Sequence, residues 1–129
     1  MITIDTNIIV RFLTKDNEEQ YKASYSLFEK ANIFVPDTVI LESEWVLRYA
    51  YEFKPKEICT AFKKIFGLRN VTLSNAQMIA QVLQWHEGGI DFADAFHLGL
   101  SQNYKSLKTF DEKFIKKARS LTKCLVDKP

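Results

Sequence analysis

The fold is decided by Ile2-Thr3-Ile4-Asp5-Thr6-Asn7, a short apolar and β-branched run that ends in a carboxylate. An apolar stretch with helical spacing follows directly, so the run predicts a strand that leads into a helix. In open α/β sheets the ligand-binding groups collect at the carboxyl ends of the strands. Asp5 is therefore the first candidate site residue, and its alternative role is to cap the helix that follows it.

Further short apolar runs alternate with helical stretches along the rest of the chain. The runs that predict strands are Ile33-Phe34-Val35, Val71-Thr72-Leu73, a weaker one over 106–110 and a last one over 124–126. This alternation is typical of a parallel α/β sheet. We predict an α/β fold, a three-layer α/β/α sandwich with a short, mainly parallel central sheet of four to five strands. Residues 1–129 are predicted to form a single domain, since no linker, repeat or low-complexity segment interrupts them.

Charge is distributed unevenly, although the net charge is only +2. Residues 1–53 carry five Lys or Arg against nine Asp or Glu, whereas residues 104–129 carry eight against three. A basic region of this kind suits a polyanionic partner, and its alternative is an ordinary solvated surface.

Cysteine usage and hydropathy exclude several classes of protein. Cys59 and Cys124 stand alone, so the pattern predicts neither a zinc site nor a disulfide framework. No basic and apolar leader is recognisable, and no apolar run approaches the ~18 residues that span a bilayer. We therefore expect a cytoplasmic protein that does not contact membranes.

Two glutamates in the second predicted α/β unit receive different interpretations. Glu42 is in line with Val39, Val46 and Tyr49 at helical spacing, which predicts a carboxylate on an apolar stripe. A carboxylate buried there must be paired, protonated or bound to a metal. Glu44 precedes Arg48 by four residues, which predicts an exposed ion pair with a structural role.

Three more acids stand at predicted helix starts. Asp91 and Asp94 are one helical turn apart and share a face. Asp91 as an N-cap and Asp94 as an acid in the first turn are the alternative, purely structural roles. Asp111 follows a short strand and has the same alternative as a cap.

Several carboxylates gathered at one sheet edge would repel one another unless a cation lay between them. Oxygen ligands are those that Mg²⁺ and Mn²⁺ prefer. A cation of this type also promotes phosphoryl chemistry, and substrate phosphates often complete its ligand shell. The acids therefore predict a divalent-metal site that acts on a phosphodiester.

The chain resembles PIN-domain ribonucleases, and most closely the VapC-type toxins of bacterial toxin–antitoxin pairs. The matching stretches occur in family order and spacing over almost the whole chain. They are Ile4-Asp5-Thr6-Asn7-Ile8-Ile9-Val10-Arg11-Phe12-Leu13, Val39-Ile40-Leu41-Glu42 with Trp45-Val46-Leu47, Asp91-Phe92-Ala93-Asp94-Ala95-Phe96, and Thr109-Phe110-Asp111.

This resemblance implies metal-dependent hydrolysis of RNA with no covalent nucleophile, using one or two Mg²⁺ or Mn²⁺ ions. It implies a catalytic set of Asp5, Glu42, Asp94 and Asp111, with Asp91 as an additional metal ligand and Thr6, Asn7 and Thr109 as hydrogen-bonding support. It also implies a homodimer and a cognate antitoxin whose tail occupies the acidic groove. The family commonly has an aliphatic residue where this chain has His97, and we expect that histidine to pack between helices.

Two basic residues are possible RNA contacts, Arg11 and Lys113. Arg11 has the alternative of pairing with a carboxylate. The alternative functions are a housekeeping PIN nuclease in RNA processing or decay, and a non-catalytic module that binds RNA or protein. A dehalogenase-type phosphatase is disfavoured because it needs a second Asp two residues after the first, where this chain has Asn7.

Overall fold

The computed structural model describes all residues, 1–129, and contains five short strands and seven helices. In chain order they are β1 (Ile2–Thr3), α1 (Thr6–Thr14), α2 (Glu18–Lys30), β2 (Ile33–Val35), α3 (Asp37–Tyr49), α4 (Pro55–Phe66), β3 (Val71–Leu73), α5 (Ala76–Glu87), α6 (Phe92–Leu100), β4 (Ser106–Lys108), α7 (Glu112–Ala118) and β5 (Leu125–Asp127).

The chain divides into two compact units, Met1–Ala76 and Gln77–Pro129. Unit 1 contains a three-stranded sheet in the order β1-β2-β3, and unit 2 contains the pair β4-β5. Every pairing is parallel, with Thr3 opposite Phe34 in the first sheet and Leu107 opposite Val126 in the second. The predicted α/β class with a short parallel sheet and four to five strands is confirmed, and the strands pair as three and two.

Unit 1 is built around the central strand β2, whose Ile33 and Val35 are completely buried. The helices of this unit add further buried apolar side chains, among them Ile9, Ile40 and Phe62. Because β1, β2 and β3 are parallel, the residues that follow all three strands leave the sheet at the same edge. That edge is where Asp5 enters α1.

Unit 2 is built around α5 and α6, which pack closely because α6 is rich in small residues. Gly99 shows this most clearly, since a Cβ placed there would lie 2.8 Å from Met78 Sδ and 2.9 Å from Val82 Cγ2. Phe92 and Leu98 fill the apolar side of α6 and are completely buried.

Both cysteines are buried free thiols, so the chain contains no disulfide. None of the seven helices combines the length and apolar character that crossing a membrane requires.

Candidate functional site

The first group of site residues lies in unit 1 and consists of Asp5, Thr6 and Glu42, which we call the Glu42 group. Asp5 is the N-cap of α1, and its Oδ1 accepts the backbone N–H of Ile8 at 3.4 Å. The capping alternative for Asp5 is therefore realised, and a cap occupies only part of the hydrogen-bonding capacity of a carboxylate. Thr6 is buried, and its hydroxyl donates a short hydrogen bond to Oε1 of Glu42. This bond fixes the Glu42 carboxylate of α3 against the first turn of α1.

The two glutamates of α3 are buried in the reverse of the predicted order. Glu44 is 1% exposed and receives two hydrogen bonds from Arg48, at 2.8 and 3.1 Å. Glu42 is exposed. The pairing of Glu44 with Arg48 was predicted correctly, but its exposed position and the burial of Glu42 on an apolar stripe were wrong. The reason is that the buried face of α3 follows Ile40, Ser43 and Leu47.

The second group lies in unit 2 and consists of Asp91, Asp94 and Asp111, which we call the Asp94 group. Asp91 is the N-cap of α6 and accepts the backbone N–H of Asp94 at 3.3 Å. Asp111 is the N-cap of α7 and accepts the N–H of Phe114 at 3.0 Å. Thr109 supports this cap, because its Oγ1 accepts the N–H of Asp111 at 3.1 Å. Both acids thus place negative charge at the positive end of a helix dipole.

The surroundings of Asp94 disfavour the ionised form of its carboxyl. Partial burial raises the pKa of its carboxyl, and the negative charges of Asp91 and Asp111 raise that pKa further, while His97 lowers it. Burial and like charge both disfavour the ionised form. The group therefore carries negative charge that a cation would relieve.

The remaining candidate residues are exposed or are paired with another side chain. Asn7 and Lys113 are exposed. Arg11 binds both oxygens of Asp16, at 2.9 and 3.0 Å, so its carboxylate-pairing alternative is realised. His97 is exposed on α6, so the expectation that it packs between helices was wrong.

One further acid stands at a helix start and is not among the predicted site residues. Asp37 opens α3 directly after β2, as Asp5 follows β1. It does not cap the helix, because the N-cap is Pro36. Its Oδ1 is buried without a hydrogen-bond partner, and burial raises the pKa of the carboxyl. The signal that points to Asp37 is its place after a strand that pairs with β1.

The donor chemistry of both groups suits a hard divalent cation, since all of the acids offer carboxylate oxygens and no sulfur or imidazole ligand is needed. Within neither unit do three or more His, Cys, Asp or Glu side chains form a ready metal cluster. The fit to a cation therefore rests on the oxygen donors and on the repulsion at Asp94.

Comparison with known proteins places the chain in a family. The family model described as PIN domain matches residues 2–120. VapC20 of Mycobacterium tuberculosis, a toxin that cleaves the sarcin–ricin loop, has a similar structure with a TM-score of 0.45 and 15% sequence identity, and the match covers 97% of this chain and 99% of that chain. No curated protein sequence matches the chain significantly. Because the family model spans almost the whole sequence, this chain belongs to the PIN domain family.

Proposed function

We propose that the protein is a divalent-metal-dependent ribonuclease that hydrolyses RNA phosphodiester bonds. Membership in the PIN domain, a nuclease family, supports this activity. The observation that carries the proposal is Asp94, whose ionised form is disfavoured by burial and by the charges of Asp91 and Asp111. An isolated set of repelling carboxylates costs stability, so its presence calls for a cation.

In this proposal Asp5, Glu42, Asp94 and Asp111 are the catalytic acids, and Asp91 is an additional ligand of one or two Mg²⁺ or Mn²⁺ ions. When bound, the cation would neutralise the carboxylates, acidify a water molecule and stabilise charge on the reacting phosphate. Thr6 orients Glu42 by donating a hydrogen bond from its hydroxyl to the carboxylate. Thr109 orients Asp111 because its Oγ1 accepts the backbone N–H of Asp111. The exposed Lys113 is left to contact phosphate, whereas the guanidinium of Arg11 is held by Asp16.

The central test is RNA cleavage by the purified protein in Mg²⁺, with Asp5→Asn beside the wild type. We expect the substitution to reduce cleavage by at least about 100-fold, since the loss of a metal ligand exceeds the 10- to 100-fold typical of its supporting residues. EDTA should abolish cleavage by the wild type. Glu19→Gln is the matched control, because it removes an exposed carboxylate from α2 in the same unit.

Two results would contradict the proposal. Cleavage by Asp5→Asn at the wild-type rate would exclude the acid set, provided that both proteins unfold at the same temperature. RNA binding without any cleavage would favour a non-catalytic module. Mn²⁺ binding measured by calorimetry adds a readout besides activity, and it should be lost in Asp94→Asn and kept in Glu19→Gln.

We further propose that the protein is a VapC-like toxin neutralised by a cognate antitoxin. The support is an open apolar groove of about 910 Å³ in unit 1. Leu13, Ala61 and Ile65 are among its apolar lining residues. Its charged lining residues are Lys54, Lys56 and Lys64 together with Glu57. An apolar groove with lysines suits an amphipathic protein segment that carries acidic residues. We propose this groove as a contact with the antitoxin in addition to the acidic groove that the family resemblance implies.

A growth assay distinguishes a toxin from a housekeeping nuclease. Expression of the wild type, but not of Asp5→Asn, should arrest growth, and co-expression of a small neighbouring gene should restore it. Ala61→Arg should prevent this rescue without changing RNA cleavage, because it fills the groove with a bulky cation. Normal growth during expression of an active enzyme would exclude the toxin.

A further inference from the structure

A groove of about 400 Å³ lies between α7 and β5 in unit 2, and we call it the α7 groove. Its only apolar lining residue is Ile115, and all of its other lining residues carry a charge. They are Glu112, Lys116, Arg119, Asp127 and Lys128. A groove of this composition suits a charged ligand, unlike the apolar groove of unit 1.

The two acids of the α7 groove are already paired within the fold. Glu112 Oε1 accepts a hydrogen bond from Lys128 Nζ at 2.6 Å, and Asp127 Oδ1 accepts one from Lys108 Nζ at 2.8 Å. Lys108 and Asp127 also stand opposite each other in the pairing of β4 with β5. The negative charges of the groove are therefore balanced before any ligand arrives.

Lys116 and Arg119 are the unpaired cations of the groove. Both side chains are exposed, and neither forms an ion pair or a side-chain hydrogen bond within the chain. Arg119 is the C-cap of α7 and follows Lys116 by three residues, so the two side chains lie on the same side of the helix. The forked guanidinium of an arginine and the ammonium of a lysine are the groups that proteins use to bind phosphate.

The groove begins beside the N-terminus of α7, where the Asp94 group has one of its acids. Asp111 caps this helix, and the next residue, Glu112, already lines the groove. Lys116 follows Asp111 by five residues, which corresponds to about 7.5 Å along the helix axis. A strand whose phosphate lies at Asp111 therefore reaches the groove within a few nucleotides.

We propose that the α7 groove binds the backbone of the RNA substrate a few nucleotides from the cleaved bond, with Lys116 and Arg119 as its phosphate ligands. The inference rests on the proposed ribonuclease function and adds a binding site outside the acid groups. Contacts to phosphate position a nucleic acid but do not read its sequence. The groove thus raises the affinity for RNA without selecting the cut site.

An acidic protein segment and a second copy of the chain are the alternative occupants. Two copies that met through this groove across a twofold axis would bring their unpaired Lys116 and Arg119 side chains together, and like charges in contact are unfavourable. RNA is favoured over an acidic protein segment because the groove adjoins Asp111, where the proposed reaction requires a phosphate of the substrate.

The salt dependence of RNA binding tests the groove independently of cleavage. The affinity for an unpaired, fluorescently labelled RNA is measured by anisotropy in EDTA at several KCl concentrations. On a single strand each neutralised phosphate contributes about 0.7 to the slope of log affinity against log salt. The double variant Lys116→Gln/Arg119→Gln should therefore bind RNA more weakly, with a slope smaller in magnitude by about 1.4. RNAs of different sequence should show the same change, since the lost contacts are to the backbone.

Lys30→Gln/Arg69→Gln is the matched control, because it also removes one lysine and one arginine. Both residues are exposed. They precede β2 and β3, at the edge of the parallel sheet opposite to the one that Asp5 follows. The control should keep the slope of the wild type. In the cleavage assay with Mg²⁺ the groove variant should raise KM more than it lowers kcat, as expected when uniform binding is lost.

The outcomes distinguish the groove from its alternatives and from the ribonuclease. A slope equal to that of the wild type in Lys116→Gln/Arg119→Gln would overturn the groove even if both proteins cleave RNA. Unchanged RNA affinity with loss of growth rescue by the neighbouring gene would assign the groove to an acidic antitoxin and overturn the proposal. A wild-type dimer that the groove variant converts to a monomer would overturn it in favour of a second copy. A smaller slope in the variant without cleavage by the wild type would support the groove and overturn the ribonuclease.

Discussion

The Glu42 group and the Asp94 group hold their carboxylates by opposite means. In unit 1 a buried hydroxyl, that of Thr6, donates directly to Glu42. In unit 2 the neighbours of Asp94 that act on its pKa are two other carboxylates and one histidine. The hydrogen bond fixes the position of the Glu42 carboxylate, whereas like charges disfavour the ionised form of Asp94.

This difference teaches how acids of one proposed site can divide their tasks. Glu42 is oriented before any ligand arrives, because its partner is part of the fold. The charge of Asp94 is repelled by Asp91 and Asp111, so a bound cation would lower the electrostatic energy most at this residue. We therefore expect substitutions in the Glu42 group to affect geometry, and substitutions in the Asp94 group to affect metal affinity.

The largest expected effect tests whether the two groups serve one reaction. Glu42→Gln and Asp94→Asn should each lower kcat for RNA cleavage by at least about 100-fold, since each removes a proposed ligand. The double variant should be little worse than either single variant, because residues that act as a unit are not additive. Independent losses that multiply in the double variant would show that the groups act separately.

The second prediction compares the two glutamates of α3. Glu44→Ala should lower the free energy of unfolding by about 2 kcal/mol, because it removes a buried carboxylate and both hydrogen bonds that Arg48 donates to it. Glu42→Ala should cost only about 1 kcal/mol, since the side chain is exposed and the one hydrogen bond from Thr6 is lost. Urea denaturation in EDTA measures both values. Equal losses would mean that Glu42 has a structural role like that of Glu44.

The two glutamates also show where prediction from the sequence ends. Acids after short apolar runs identified Asp5 and Asp111, because strand ends and helix starts have local signatures. Which face of α3 is buried could not be predicted in this way, since apolar residues occur on nearly every face of that helix. The neighbours in the fold decide which of Glu42 and Glu44 is buried.

Contacts between distant positions were beyond prediction for the same reason. Arg11 had two possible partners in the sequence, and the structure gives it Asp16 together with the hydroxyl of Tyr51, forty residues away. The strands were found, but with only two or three residues each they carry no signal for their pairing as three and two. Asp37 was not among the predicted site residues, and only the structure shows that its Oδ1 is buried without a hydrogen-bond partner.

The third prediction concerns the orientation of Glu42. Thr6→Val keeps the shape of the side chain and removes the donor, so it should lower kcat by about 10-fold, as is typical of a residue that orients a ligand. Thr6→Ser restores the hydroxyl and should recover most of the rate. A rate for Thr6→Val equal to that of the wild type would remove the distinction between the two groups. Thermal unfolding of both variants controls for the burial of Thr6.

The smallest expected effect is the pH dependence of stability that Asp94 causes in the absence of metal. The pKa of its carboxyl in the folded protein is raised above the ordinary value of 3.8, so the folded state holds the proton more tightly than the unfolded chain. The loss of stability caused by ionised Asp94 is therefore absent below pH 3.8. It grows as the pH rises towards the pKa in the folded state and is complete above that pKa. In EDTA at pH 7, Asp94→Asn should be more stable than the wild type by about 0.5 kcal/mol or less, since solvent screens this partly exposed group.

Mg²⁺ should reverse the order of stability of the wild type and Asp94→Asn. A ligand that binds only the folded state adds about 1.4 kcal/mol at ten times its Kd, which exceeds the electrostatic penalty. The wild type should gain this stability and Asp94→Asn should not, so denaturation at pH 7 with and without Mg²⁺ measures both signs. A gain of equal size in the two proteins would show that the cation binds elsewhere, and the repulsion at Asp94 would then be only a cost to the fold.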